Sequence, residues 1–374
     1  VTAPGAPPRL LSVDALRGLT VAAMVLVNNP GTWRAVYPPL RHAEWHGWTP
    51  TDMIFPFFLF VVGVSIPLAL GPRLERGTRG LPLRVLRRAA AIFALGLLLH
   101  AAPFFALATL RIPGVLQRIA VCYLLAALLV LATGGARGWR GQAVVAAALL
   151  LGYWLLMTQV PAPGQVAGDL SPAGNLAGYV DRLVLGTRHI WSVSKLYDPE
   201  GILSTLPATA TTLAGVLVGH WLRAGRPAAR LVGGLAAAGA GAAALGWLWG
   251  LVFPVNKSLW TSSYALMMAG LAALALAGCY WIIEVRGRRG WARPFALLGV
   301  HALVLFFLSS LTAKLLVVFR AGEGGPRLHA WLFEHLFAPW ASPVNASLAY
   351  ALAYVLLWWA VIWALDRAGF RVRL

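Results

Sequence analysis

Residues 41–48 read Arg-His-Ala-Glu-Trp-His-Gly-Trp. Histidine is the side chain best suited to take or give a proton near neutral pH, so His42 and His46 are the first candidates for general acid–base chemistry. Glu44 stands between them and raises a metal reading. H-x-E-x-H is not the H-E-x-x-H pattern of zinc proteases, however, and the loop has no cysteine and no evident third ligand. No metal is expected. The bland reading of the loop is interfacial, with Trp and His at headgroup level. The next residues, Thr49-Pro50-Thr51-Asp52, look like a helix start, with Thr49 as N-cap and Pro50 at the first helical position. Asp52 then sits in the first turn, favourable against the helix dipole. Capping alone accounts for Asp52 as well as a functional role does.

Further polar residues stand where they are expensive. Asp14, Arg17 and Asn28 fall within about 60° of one another on a helix. Asp14 and Arg17 form either an anchoring i,i+3 pair or an intramembrane functional site. Asn28 either caps the helix or hydrogen-bonds a neighbour at the outer mouth. Downstream of Arg111-Ile112-Pro113-Gly114 lie Gln117 and Arg118. Arg118 would sit about 8 Å below the helix start and could snorkel outward. Asp198-Pro199-Glu200-Gly201 is a second cap followed by proline, above Thr205, Thr209 and Thr212. Asp198 and Glu200 either cap or face an outer cavity and attract a cation. The segment 254–262, with Asn256, Lys257 and Trp260, has the same ambiguity. Cys122 and Cys279 behave as small apolar residues. The chain has no Walker loop, G-x-S-x-G, G-x-G-x-x-G or zinc-type cysteine spacing.

The elements that must position these residues follow from composition. Of 374 residues 59% are hydrophobic and only 11% charged, yet the net charge is +19. A soluble domain has about 25% charged residues. Disorder, a disulfide-built domain and a nucleic-acid-binding domain are excluded, the last because the apolar runs leave no solvated basic face. A polytopic, all-α membrane helical bundle remains. Ten segments are apolar over the roughly 20 residues a span needs: 13–29, 52–70, 85–104, 114–133, 143–160, 201–222, 231–252, 263–284, 294–318 and 345–366. Nineteen Lys and Arg residues fall on one side of these spans and nine on the other, and three more (Arg17, Arg118 and Lys314) lie inside them. The positive-inside rule puts both termini in the cytoplasm and the loops 30–51, 161–200 and 319–344 outside. A preference for Arg over Lys suggests a GC-rich bacterial genome, hence a bacterial inner membrane. Residues 1–374 read as a single transmembrane domain, with 1–10 an unordered tail. Gly233 to Gly246, and Gly215 with Gly219, suggest close helix packing and permit a homodimer.

The pattern resembles a known family. Ser12 to Asn28 (S-V-D-A-L-R-G-L-T-V-A-A-M-V-L-V-N) is similar to the opening helix of the bacterial relatives of the lysosomal heparan-α-glucosaminide N-acetyltransferase. His42 to Ile66 fits H-x-x-W-x-G-x-T-x-x-D-x-x-F-P-x-F-x-F-x-x-G-x-S-I. Ile112 to Ile119 (I-P-G-V-L-Q-R-I), Tyr197 to Gly201 (Y-D-P-E-G) and Pro254 to Tyr264 (P-V-N-K-x-L-W-x-x-S-Y) follow in order. His46 and Glu44 are not part of the family pattern, and Gly299-Val300-His301-Ala302-Leu303 stands where the family often has G-x-N-x-L.

The resemblance implies a membrane acyltransferase that takes acetyl from cytoplasmic acetyl-CoA and passes it to a hexosamine amine on the outer side. His42 matches the family's active-site histidine and Asn28 its nearby asparagine; Asp52 is placed with them in the catalytic set. His42 would take the nucleophile's proton, or become transiently acetylated, while Asn28 would bind the thioester oxygen or fix the imidazole. Arg17 with Asp14, Arg87, Arg88, Gln117 and Arg118 are the candidates for holding coenzyme A. Trp45, Asp198, Glu200, Asn256, Lys257 and Trp260 are the candidates for the sugar. The rival readings are an O-acyltransferase of surface polysaccharide and a small-molecule transporter without chemistry.

Overall fold

The computed structural model describes residues 10–370; most of the expected N-terminal tail, and the basic residues Arg9, Arg371 and Arg373, lie outside them. The described residues form thirteen α-helices: α1 Leu11–Asn28, α2 Ile54–Glu75, α3 Leu81–Ala101, α4 Val115–Ala132, α5 Trp139–Gln159, α6 Leu176–Leu185, α7 Thr205–Arg223, α8 Ala228–Trp249, α9 Ser262–Tyr280, α10 Ala292–Val300, α11 Ala302–Val318, α12 Leu328–Leu336 and α13 Pro343–Arg367. Each of the ten expected segments is helical. Seven helices, counting a helix with the short turn that adjoins it, are long and apolar enough to cross a membrane, and the bent α10–α11 pair makes an eighth if it counts as one span. The chain is therefore an all-α, polytopic membrane bundle. α3 and α7 have the length of a span but are more polar, α3 through Arg84, Arg87 and Arg88, α7 through its threonines, His220 and Arg223.

Chain contacts divide the protein into two compact units. The first holds Glu44–Gly47 and Pro56–Gly287, together with residues 10–13. Here α8 packs along α9, α3 along α4, and α4 and α5 along α7. One core cluster joins Ile66 and Leu70 of α2 to Val85, Ala126, Val130 and Leu213. A second joins Tyr153 and Met157 of α5 to Phe253 and Leu259. Of the small residues expected at close contacts, Gly215, Gly219, Gly239 and Gly246 pack closely, whereas Gly233 and Gly241 face open space. A Cβ at Gly215 would fall on the Phe60 carbonyl, and one at Gly246 on the Met267 backbone, so α7 meets α2, and α8 meets α9, backbone to backbone. The outward sides of α5 and α8 carry exposed Leu151, Leu155, Leu245 and Leu248, as contact with acyl chains requires.

The second unit holds Asp14–Ala43, Trp48–Phe55 and Arg288–Leu374. Within it, a Cβ at Gly299 would strike the Asp14 carbonyl, so α10 lies directly on α1. The continuous helix expected over 294–318 is instead broken at His301, where α10 and α11 meet at 79°. Breaking the helix takes the carbonyl of Gly299 out of the helical ladder, and Arg17 Nη1 donates to it at 3.3 Å. His301 Nε2 lies 3.2 Å from Asp366 Oδ1 of α13.

Three local expectations shift. α7 starts at Thr205 rather than at 201. Asp198 caps a tight turn instead of the helix: its carbonyl accepts Gly201 N–H at 2.9 Å and its Oδ1 accepts Glu200 N–H at 2.9 Å. A 3-10 turn, Pro50–Met53, precedes α2. Two short helices, α6 and α12, occupy connections that read as loops.

Candidate functional site

Asp52 organises the second unit's polar loop. It lies in the Pro50–Met53 turn and is only 1% exposed. Its Oδ2 accepts the backbone N–H groups of Ala43 and Thr49, both at 3.0 Å. Its Oδ1 faces His42 Nδ1 at 2.7 Å. An ionised carboxylate only accepts, so this contact places the imidazole proton on Nδ1 and the lone pair of the neutral ring on Nε2. The loop is curled to reach this geometry. Thr49 Oγ1 donates to the Arg41 carbonyl at 2.6 Å, Thr51 Oγ1 to Pro39 at 3.1 Å, and Arg41 Nε to Val36 at 2.9 Å. The His42 side chain is 47% exposed. A histidine oriented by a buried carboxylate and open to solvent can take a proton on Nε2 while the carboxylate steadies the imidazolium.

Asn28 closes α1 and is exposed. Its neighbour Asn29 is buried instead, with Nδ2 donating to the Val25 carbonyl at 2.6 Å. Asp14 and Arg17 do pair, at 2.9 Å, and Arg17 also holds Gly299 of α10.

In the first unit, Glu44–Gly47 lies against the 254–262 turn. Gly47 N–H donates to the Val255 carbonyl at 2.7 Å, in a parallel bridge between Gly47 and Asn256. Trp45 Nε1 donates to the Leu170 carbonyl at 2.9 Å, and its ring meets Tyr197 edge-on at 4.9 Å. Asn256 is buried, its Oδ1 accepting Leu259 N–H at 2.8 Å. Lys257 is half-buried. Trp260 is fully buried and donates from Nε1 to Thr211 Oγ1 at 3.2 Å.

Asp198 and Glu200 meet a cation of the chain itself. Arg111 binds Asp198 through two hydrogen bonds, at 2.8 and 2.6 Å, and Glu200 at 2.5 Å. Burial works against the Arg111 charge, but Glu200 and Asp198 outweigh it and hold the guanidinium more firmly protonated than usual. Arg118 does not snorkel. It is 2% exposed, donates to the Gly201 carbonyl at 3.1 Å and to Ser204 Oγ, and lies 5.1 Å from the Trp260 ring centre. Gln117 is buried with Nε2 3.4 Å from His100 Nδ1. Arg87 is exposed on α3, and Arg88 stands over the Tyr123 ring at 5.1 Å.

Two residues of this framework carry no motif and escape sequence reasoning. Arg111 reads only as the residue before a helix start. Asp181, on α6, is 1% exposed and accepts the N–H groups of Asp198 at 3.2 Å and Ile202 at 2.8 Å. Burial pushes its carboxyl up from 3.8 to about 6. Among the described residues no group of three or more His, Cys, Asp or Glu side chains is placed to hold a metal ion.

The fold and loop define a multi-pass, all-α membrane protein with a histidine oriented by a buried aspartate. Residues 9–239 match the family described as heparan-alpha-glucosaminide N-acetyltransferase, catalytic, and the chain belongs to that family. It is 30% identical over 360 residues to heparan-alpha-glucosaminide N-acetyltransferase of Homo sapiens, covering 80% of this chain and 52% of the human protein. To the Mus musculus protein of the same name it is 28% identical over 355 residues, covering 80% and 53%. The chain thus spans about half the length of the curated relatives it matches.

Proposed function

We propose that the protein is a membrane acetyltransferase that moves an acetyl group from acetyl-CoA to the amine of a hexosamine-type sugar, with His42 as general base. The observation that carries this reading is the 2.7 Å His42–Asp52 pair, which falls inside the region matched by the catalytic family. His42 Nε2 takes a proton as the neutral amine attacks the thioester carbonyl. The new C–N bond forms, the tetrahedral oxyanion collapses, the C–S bond breaks, and the proton on His42 passes to the departing coenzyme A thiolate. Asp52 keeps the ring in the right tautomer and steadies its positive form. Asn28 is assigned to the developing oxyanion.

Acetyl-CoA is a substrate here, and its phosphates call for cations. The exposed Arg84 and Arg87 of α3, with Arg73 and Arg76 just before it, form a basic surface of the right chemistry. Arg88, stacked on Tyr123, extends that surface. Arg17 is given a lesser part, since Asp14 and the Gly299 carbonyl already occupy it. Asp198 and Glu200, bound to Arg111, serve the sugar site by shaping its wall rather than by meeting a free ammonium.

The distribution of Lys and Arg supports ten spans with both termini in the cytoplasm of a bacterial cell, the α3 arginines inside and His42 outside. Acetyl thereby crosses the bilayer between donor and acceptor.

The test is transfer itself. Purified protein, labelled acetyl-CoA and glucosamine are expected to give labelled N-acetylglucosamine. Failure with glucosamine and with every other amino sugar of a panel would contradict the reading.

A further inference from the structure

The loop that carries His42 carries a second histidine, His46, with the opposite ring tautomer. Asn256 spends its Oδ1 on Leu259 N–H, at 2.8 Å, which fixes the direction of its amide. Its Nδ2 then faces His46 Nδ1 at 3.4 Å. An amide nitrogen only donates, so Nδ1 of His46 is the acceptor and the ring proton lies on Nε2. Partial desolvation lowers the His46 pKa, which favours the neutral ring near pH 7. Gly47 locks the register. It has φ +96, a conformation L side chains rarely adopt, and its N–H bonds the Val255 carbonyl beside Asn256. His42 therefore offers a lone pair on Nε2, whereas His46 offers an N–H on Nε2.

The surroundings of His46 are aromatic. Its ring meets Trp45 edge-on at 6.1 Å, Trp45 meets Tyr197 at 4.9 Å, and Tyr197 meets Trp191 at 6.0 Å. Trp45 Nε1 bonds the Leu170 carbonyl, so this ring is held by its polar end. His46 is exposed, and Trp45, Trp191 and Tyr197 are half-buried. A pyranose ring has apolar C–H faces and a rim of hydroxyls. Fixed aromatic rings with a few oriented polar groups are the chemistry that recognises it.

We propose that His46, held as its Nε2–H tautomer by Asn256, is a sugar-recognition residue that donates this hydrogen bond to an oxygen of the acceptor, with Trp45, Trp191 and Tyr197 as the aromatic wall of the same subsite. The assignment rests on the amino-sugar reading given above and adds to it a residue outside the family pattern.

The experiment compares wild type, His46→Leu and His46→Gln with glucosamine and its single-deoxy analogues. His46→Leu removes the donor and is expected to raise the glucosamine KM about 5-fold, the order of one neutral hydrogen bond, with the acetyl-CoA KM unchanged. His46→Gln keeps an N–H donor and is expected to restore most of the affinity. One deoxy analogue is expected to be a poorer substrate for wild type but no poorer for His46→Leu. An unchanged glucosamine KM in His46→Leu, or an equal rise in both KM values, would overturn the proposal. Should wild type transfer nothing to glucosamine, saturation-transfer NMR of glucosamine on the same proteins decides. Binding lost in His46→Leu upholds the subsite and refutes only the transfer reading; no binding, or equal binding, overturns the subsite.

Discussion

Asp52 satisfies two descriptions at once, with one oxygen for each. Its Oδ2 closes the turn that follows Thr49, as the Thr-Pro-x-Asp pattern predicts, while its Oδ1 holds His42. The capping half is legible in four consecutive residues. The pairing half is not, because it depends on a ten-residue loop folding back, and that fold is set by side chain-to-carbonyl bonds of Thr49, Thr51 and Arg41. Thr49→Val keeps the backbone N–H to Asp52 but loses the tie to Arg41. We expect it to lower kcat severalfold without changing the KM for acetyl-CoA, as steady-state kinetics would read, since one neutral hydrogen bond contributes about 1 kcal/mol. Asp198 and Glu200 show the opposite failure. Their exposed look in the sequence suggests a ligand, but Arg111, 87 residues from Asp198, already occupies them.

Among the elements, hydropathy located all ten long helices, and the glycine spacing marked α7 and α8 as close-packing helices without naming their partners, α2 and α9. Gly215→Val places a branched side chain on the Phe60 carbonyl; we expect overpacking to cost about 1–3 kcal/mol, read as a lower thermal midpoint in detergent. Hydropathy missed α6 and α12, which are too short and too mixed in character to stand out. It also missed the break at His301, where no proline or glycine occupies the corner and polar contacts stabilise it instead. α6 carries a pH-dependent tie. The Asp181 carboxyl is raised from 3.8 to about 6, so the folded state favours its protonated form. Its contribution is full below pH about 4 and lost as the pH rises through about 6. Asp181→Asn removes the titration, so its thermal midpoint is expected to gain on wild type between pH 4 and 7, by the equivalent of about 1–3 kcal/mol. A difference independent of pH would count against this tie.

For the whole molecule, a net charge of +19 on a 59% apolar chain is proposed to encode sidedness. Length and apolarity alone mark seven helices, or eight with the bent pair. α3 and α7 fall short because arginines and threonines replace apolar residues on them. A ten-span arrangement with cytoplasmic termini puts the α2–α3 connection and the α6 region on opposite faces. With Cys122 and Cys279 replaced by alanine, Arg76→Cys is expected to react with an impermeant thiol reagent only after the cells are opened. Arg188→Cys is expected to react in intact cells with a permeable outer layer. Labelling of both in intact cells would contradict the topology. The catalytic-family match fixes the ancestry across residues 9–239. The hexosamine acceptor is a proposal that follows from the family resemblance, since the chain spans about half of its curated relatives and no motif in it spells out a substrate.

His42, oriented by Asp52, is proposed as the base for acetyl transfer to an amino sugar. The most direct measurement of this role is the kcat for labelled acetyl transfer from acetyl-CoA to glucosamine in wild type, His42→Ala and Asp52→Asn, each checked for unchanged thermal midpoint. The expected result is a fall of about 100-fold or more in both variants, the scale of a lost general base, with KM values little altered. Wild-type turnover in His42→Ala, in folded protein, would contradict it.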